Sequence, residues 1–121
     1  MKKLAFGIDI GGINTAFGLV DEKGELFANS VISTKAYPNY SDYPKYINDL
    51  AEAMKVLVHS VNFEFELIGI GIGAPNANYY NGTVETPANL WKYTNEEIEA
   101  GAKEEDRIFH FAEDLGKHFL N

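Results

Sequence analysis

The sequence predicts an α/β fold: a mixed sheet that opens with three antiparallel strands and is flanked by helices. Three observations carry that expectation. Apolar runs at residues 4–10, 14–20 and 26–34 are separated by turns too short for a crossover, so each folds back on the last. Residues 43–58 then repeat their apolar side chains at helical spacing. A further buried-strand run, 66–75, follows that helix, and a strand reached through a helix lies parallel to the first. With 121 residues, 45% of them hydrophobic and 13% aromatic, the chain has length for one core and the side chains to fill it.

Taken in order, the first strand closes on Asp9, and Gly11 and Gly12 turn the chain into the second. Asp21, Glu22, Lys23, Gly24 and Glu25 read as a turn, because they lack the spaced acids of a calcium loop. Residues 36–41 are a loop, with Ser41 the expected helix N-cap. Pro44 suits the first helical turn, where its missing N–H does no harm. Tyr43, Ile47, Leu50, Met54, Leu57 and Val58 share one helical face, with Asp42, Asp49, Glu52 and Lys55 mostly off it. Tyr37, Tyr40, Tyr43 and Tyr46 admit stacking on a base or sugar; packing at the helix entrance is the simpler account. His59 suits the C-terminal end of the helix dipole.

The strand at 66–75 leaves through Gly73, Ala74 and Pro75, and Asn81 with Gly82 marks a hairpin turn. Its glycine spacing is not the dinucleotide fingerprint, which must open a helix. Residues 95–103 and 104–119 read as two helical pieces, with Ile108, Ala112, Leu115 and Phe119 the apolar stripe of the second. That last helix is expected to pack on the sheet, whose two apolar faces both need cover. The expected organisation is a lobe over 1–92 and a helical segment over 93–121 on the same domain.

Composition narrows the function. A formal net charge of −8, with no Lys/Arg cluster, argues against a nucleic-acid partner. The absence of cysteine excludes disulfides, a cysteine nucleophile and a thiolate zinc site. No run approaches the roughly 20 apolar residues of a membrane helix, and the N-terminal residues enter a strand directly. A cytoplasmic protein without a membrane partner is the expectation. His110, Asp114 and His118 line one helical face, but nothing completes a tetrahedral shell, so a solvated face is the reading there.

Asp9 beside the turn of Gly11 and Gly12 carries the chemistry. Backbone N–H groups there can receive phosphate oxygens, and the carboxylate can hold a hydrated Mg²⁺ against them. A side chain at either glycine would keep the phosphate off the backbone. This motif resembles the first phosphate loop of the actin/hexokinase/Hsp70 ATPase superfamily. Joined to Ile70-Gly-Ile-Gly-Ala-Pro-Asn76 and Pro87-Ala-Asn-Leu-Trp91, in order and spacing from Lys3 to Lys92, it resembles the ROK family of sugar kinases and repressors. The glucokinase-type members are the most similar.

The resemblance implies an actin-like ATPase (ribonuclease H-like) lobe and ATP-dependent phosphorylation of a hexose, glucose first, at its 6-hydroxyl. It implies ATP and Mg²⁺ as cofactors, with Asp9 toward the metal and Gly11 and Gly12 at the phosphates. Gly73, Ala74, Pro75, Asn76 and Asn89 match the residues beside the sugar. Ile13 departs from the family's Thr or Ser, losing a hydroxyl contact worth roughly 0.5–1.5 kcal/mol. Asn14 and Thr15 are the residues left to replace it. Pro87-Ala-Asn-Leu-Trp91 also departs from the family's Pro-Asn-Leu-Pro-Trp.

The family's general base, an aspartate in an Asn-Asp segment, has no counterpart, nor do its second phosphate loop, zinc motif and adenosine site. No catalytic residue is therefore assigned, and the expectation is an N-terminal lobe lacking its catalytic lobe and inactive alone. Ala102-Lys-Glu-Glu-Asp106 is only distantly similar to a late helical segment of the family. Among the remaining acids, Glu85 alone falls near the sugar loop. The competing reading is a non-catalytic lobe that binds sugar or pairs with another chain, a second copy included. A DNA-binding repressor is not expected, because Met1 alone ahead of Lys2 cannot form its helix-turn-helix.

Overall fold

Strands β1 (Lys2–Ile10), β2 (Asn14–Val20) and β3 (Leu26–Ser33) form two successive hairpins, as the short turns dictate. The computed structural model describes residues 1–78, 81–87 and 90–120. Helix α1 (Tyr43–Ser60) then carries the chain across to β4 (Phe65–Gly73), which pairs with β1 in parallel. The sheet order is β3-β2-β1-β4, so β1 lies in the interior of the sheet.

Alternation along β1 decides which face is buried. Leu4, Phe6, Ile8 and Ile10 enter the core with Phe17 and Leu19 of β2, while Gly7 and Asp9 turn to the opposite face. Helix α1 seals the apolar side with Tyr46, Ile47, Leu50, Ala51 and Met54, all essentially buried. Removing one such side chain, as in Leu50→Ala, costs about 2–5 kcal/mol. The tyrosines pack: the Tyr37 and Tyr46 rings lie 5.5 Å apart, and Tyr43 meets Trp91 edge-on at 5.0 Å.

The start of α1 differs from expectation. Ser41 lies inside a 3₁₀ turn, Tyr40–Asp42, whose preceding residue is Asn39. The Asn39 N–H donates to the Asp42 carboxylate at 3.0 Å, and α1 follows directly from Asp42. Ser41 is thus not the cap, because the chain is already turning when it arrives.

The C-terminal segment departs further. Short strands β5 (Ala77–Asn78), β6 (Thr83–Glu85) and β7 (Ile108–Phe109) form a second sheet in that order. Helix α2 (Asn95–Glu99) is capped by Thr94, whose hydroxyl accepts the Glu97 N–H at 3.2 Å. In place of one helix over 104–119 there is a 3₁₀ turn, Glu104–Asp106, then β7, then α3 (Phe111–Phe119). The edge of β6 offers Ile108 and Phe109 a ladder, and Phe109 is buried against Tyr43 and Trp91. That burial outweighs continued helix, so Ile108 and Ala112 are exposed and only Leu115 and Phe119 of the expected stripe turn inward.

Helix α3 packs beside α1, with Phe119 edge-on to Phe6 at 5.5 Å, and so covers the face already covered. The expectation that the last helix relieves an apolar second face is therefore corrected. Small residues line the centre of that face, where Gly71, Gly7, Gly18 and Asn29 stand in one row across four strands, with Leu26 and Val31 exposed beside them. It forms an open concavity of about 560 Å³. Among the described residues no helix is long and apolar enough to cross a membrane.

Candidate active-site half

The parallel register pairs Asp9 with Gly73, which brings the carboxyl ends of β1 and β4 to one place. Ligands of α/β sheets bind outside such strand ends, since the connecting loops open there. The turn after Asp9 and the turn after Gly73 thus emerge side by side. Both residues line the open concavity. A Cβ on Gly73 would stand 4.0 Å from an Asp9 carboxylate oxygen. The Asp9 side chain is exposed and meets no hydrogen-bond partner among the described residues.

The two glycines of the first turn do different work. Gly11 donates its N–H to the Asn14 carbonyl at 2.9 Å, and a Cβ there would meet the same oxygen at 3.1 Å. Gly11 therefore makes the turn tight, with its N–H engaged inside that turn. Gly12 faces open space. The Ile13 carbonyl accepts from the Thr34 and Lys35 N–H groups at 2.8 and 3.0 Å, tying the turn to the end of β3. The Ile13 side chain is 67% exposed, and Asn14 is exposed beside it.

Thr15 does not join this turn. Its side chain is wholly buried, and its hydroxyl lies 2.7 Å from both the Thr34 hydroxyl and the Tyr46 hydroxyl. Strand alternation explains the correction: Thr15 follows the turn on the core-facing side of β2, where a hydroxyl must find partners. Burial pushes the Tyr46 pKa upward, against the hydrogen bond with Thr15.

On the sugar side, Gly73 ends β4, Ala74 is half-buried, and Pro75 and Asn76 are exposed. Asn76 adopts φ +56°, accepts the Glu85 N–H at 3.0 Å through its carbonyl, and donates its side-chain amide to the Thr86 carbonyl at 3.1 Å. Asn89 lies outside the described residues. Pro87, Leu90 and Trp91 on either side of it are buried. The Trp91 indole N–H is buried and has no hydrogen-bond partner among the described residues.

Two other acids are engaged elsewhere. Glu85 accepts the Thr83 hydroxyl at 2.7 Å. Asp114 accepts the Tyr43 hydroxyl at 2.8 Å, and among the described residues no three His, Asp or Glu side chains gather to hold a metal. What the sequence reading missed is Arg107, which is 2% exposed and donates to the Pro87 and Leu90 carbonyls at 2.6 and 2.7 Å. An arginine following three acids carried no signal of burial.

No protein-family model matches the chain. It is 29% identical over 101 residues to the glucokinase of Streptomyces coelicolor, and equally to that of Streptomyces lividans. Those matches cover 80% of this chain and 29% of each relative, so the chain spans about three tenths of their length. Among solved structures, a ROK family glucokinase from Streptomyces griseus, in complex with glucose and AMPPNP, superposes with TM-score 0.58 at 20% identity. That superposition covers 94% of this chain and 30% of the other. A Cytophaga hutchinsonii protein provisionally assigned as a sugar kinase superposes with TM-score 0.61 at 19% identity, over 97% and 33% of the two chains. The fold is that of the actin-like ATPases, and sequence and fold together support a ROK-family sugar-kinase resemblance over this stretch.

Proposed function

We propose that the chain is the hexose- and phosphate-facing lobe of a ROK-type sugar kinase, with glucose as the hexose. The observation that supports this most is the pairing of Asp9 with Gly73, which opens the phosphate turn and the sugar turn at one end of the sheet. Gly73, Ala74, Pro75 and Asn76, together with Asn89, receive the sugar. Asp9, Gly12 and Asn14 face the nucleotide phosphates. An exposed carboxylate without a protein partner suits a hydrated Mg²⁺, which keeps several waters and takes one or two carboxylates beside phosphate oxygens. When bound, the metal neutralises charge on the phosphates; Asp9 holds its water shell, and Gly12 leaves the space a phosphate needs.

Among the described residues we assign no acid to take the proton of a sugar hydroxyl. Asp9 serves the metal side, and Glu85 is tied to Thr83. Phosphoryl transfer requires the nucleophile aligned with the γ-phosphate and charge stabilisation around it. Turnover is therefore expected only with a second lobe present, and binding is the activity to test on this chain. The relatives named glucokinase support glucose as the sugar.

The test is an amide NMR titration with glucose and then with Mg-ADP. Glucose is expected to shift Gly73, Ala74 and Asn76, and Mg-ADP to shift Asp9, Gly12 and Ile13. A dispersed spectrum that ignores both ligands would sink the reading.

A further inference from the structure

Arg107 is, among the described residues, the charged side chain carried fully into the interior. Its guanidinium reaches the Pro87 carbonyl at 2.6 Å, the Leu90 carbonyl at 2.7 Å and the Trp91 carbonyl at 3.4 Å. Its own carbonyl accepts the Thr86 N–H at 2.9 Å. One residue thus grips the backbone at 86, 87, 90 and 91. The counter-ion is Glu104, at 3.0 Å from Nη2 and half exposed to solvent.

Backbone strain collects in the same segment. The described non-glycine residues with left-handed φ are Asn76 at 56°, Thr86 at 41° and Trp91 at 46°. A β-branched or bulky side chain in that region is a conformational outlier that persists only where its surroundings over-determine it. Thr86 is held from both sides, its N–H by the Arg107 carbonyl and its carbonyl by the Asn76 side chain. Trp91 is held through its carbonyl by the guanidinium. Asn76, Thr86 and Trp91 are therefore linked through Arg107, and Asn76 belongs to the sugar turn.

Filling space does not call for a buried guanidinium, since an apolar side chain does so without the desolvation cost. A planar fork that meets several carbonyls at once fixes the path of a backbone, and a lysine ammonium cannot reproduce it. We propose that Arg107 is a positioning residue for the hexose half-site: it holds the backbone of Thr86 and Pro87, and of Leu90 and Trp91, against the Asn76 turn and thereby sets hexose affinity. This rests on the hexose-binding reading of the lobe. Glu104 accepts from Arg107 Nε at 3.1 Å and balances the charge, while the backbone carbonyls are met by the other guanidinium N–H groups.

The test uses the whole chain with Arg107→Lys, and with Arg107→Lys combined with Thr86→Gly, which removes the left-handed strain and protects folding. Trp91 is the sole tryptophan, so its indole resonance and fluorescence report the segment directly. Arg107→Lys is expected to unfold cooperatively, yet to move the Trp91 indole and the Asn76 and Thr86 amides and to weaken glucose binding by about tenfold. Glu104→Gln is expected to move none of them. A folded Arg107→Lys with those signals and glucose affinity unchanged overturns the proposal, as does a Glu104→Gln variant that reproduces its effects. Failure of both Arg107 variants to fold also overturns it, by making the role purely structural. If the wild-type chain ignores glucose, the hexose reading fails, and the positioning claim is then decided by the indole and amide signals alone.

Discussion

The Tyr43 hydroxyl donates to the Asp114 carboxylate at 2.8 Å, tying α1 to α3 across 71 residues of chain. Burial, and then this bond, push the Tyr43 pKa well above its ordinary 10.0. The folded state therefore holds that proton more tightly than the unfolded chain does. The resulting stability is complete below about pH 10 and is lost as pH rises beyond it. Tyr46, raised mainly by burial, adds a contribution of the same sign. Tyr43→Phe is expected to cost about 1 kcal/mol at pH 8 and to flatten the alkaline loss. Urea unfolding at pH 8 and at pH 11 checks both, and parallel losses in the two proteins would contradict the argument.

Asp9→Asn is expected to abolish Mg-ADP binding in a titration while leaving the thermal midpoint unchanged, because its exposed carboxylate supports nothing in the fold. Ile13→Thr is expected to strengthen that binding severalfold, consistent with one neutral hydrogen bond of roughly 0.5–1.5 kcal/mol. The Ile13 backbone contacts to Thr34 and Lys35 survive the change, so weaker binding would mean the turn serves another ligand.

Thr15→Val separates structure from chemistry at the neighbouring position. It leaves the Thr34 and Tyr46 hydroxyls without their shared partner in the interior. A loss of about 1–3 kcal/mol in chemical unfolding is expected, with Mg-ADP affinity unaltered in the folded protein. Reduced affinity with full stability would restore Thr15 to the phosphate turn.

Two glycines of the cross-strand row give opposite forecasts. A Cβ at Gly18 would come within 2.7 Å of the Leu26 side chain and 3.0 Å of the Ala28 carbonyl. At Gly71 the nearest atom is the Phe6 carbonyl at 3.8 Å, an ordinary contact. Gly18→Ala is expected to lower the thermal midpoint. Gly71→Ala is expected to be neutral or stabilising by up to about 1 kcal/mol, since alanine loses less backbone freedom on folding. Equal losses would show that something covers this face in solution.

The first half of the chain is legible in the sequence because local rules govern it. Short turns force β1, β2 and β3 into hairpins, and the helical spacing of Tyr43 to Leu57 leaves one register for α1. The Asp9 turn and the Gly73 turn were readable as separate motifs; the parallel ladder supplies their adjacency. Beyond Thr94, propensity loses to tertiary contact. The Glu104 to Phe119 stretch has helical spacing, yet Phe109 gains more as a strand residue within the aromatic cluster. Thr15 was misread because a polar residue next to a phosphate-type turn looks like a ligand until strand parity turns it inward. Arg107 was invisible, because its partners are backbone carbonyls that no sequence pattern marks.

Residue order and sheet order disagree in one place, and that place governs when the lobe can form. β1 pairs with β2 across a short turn, but its other edge waits for β4, with Leu4 meeting Leu67. A chain emerging from the ribosome therefore holds Phe6 and Ile8 on a half-made sheet until α1 and β4 have followed. The long closure makes assembly of the central strand a late event. A halt in translation before residue 73 would leave an unpaired apolar edge, the kind of surface on which nascent chains aggregate.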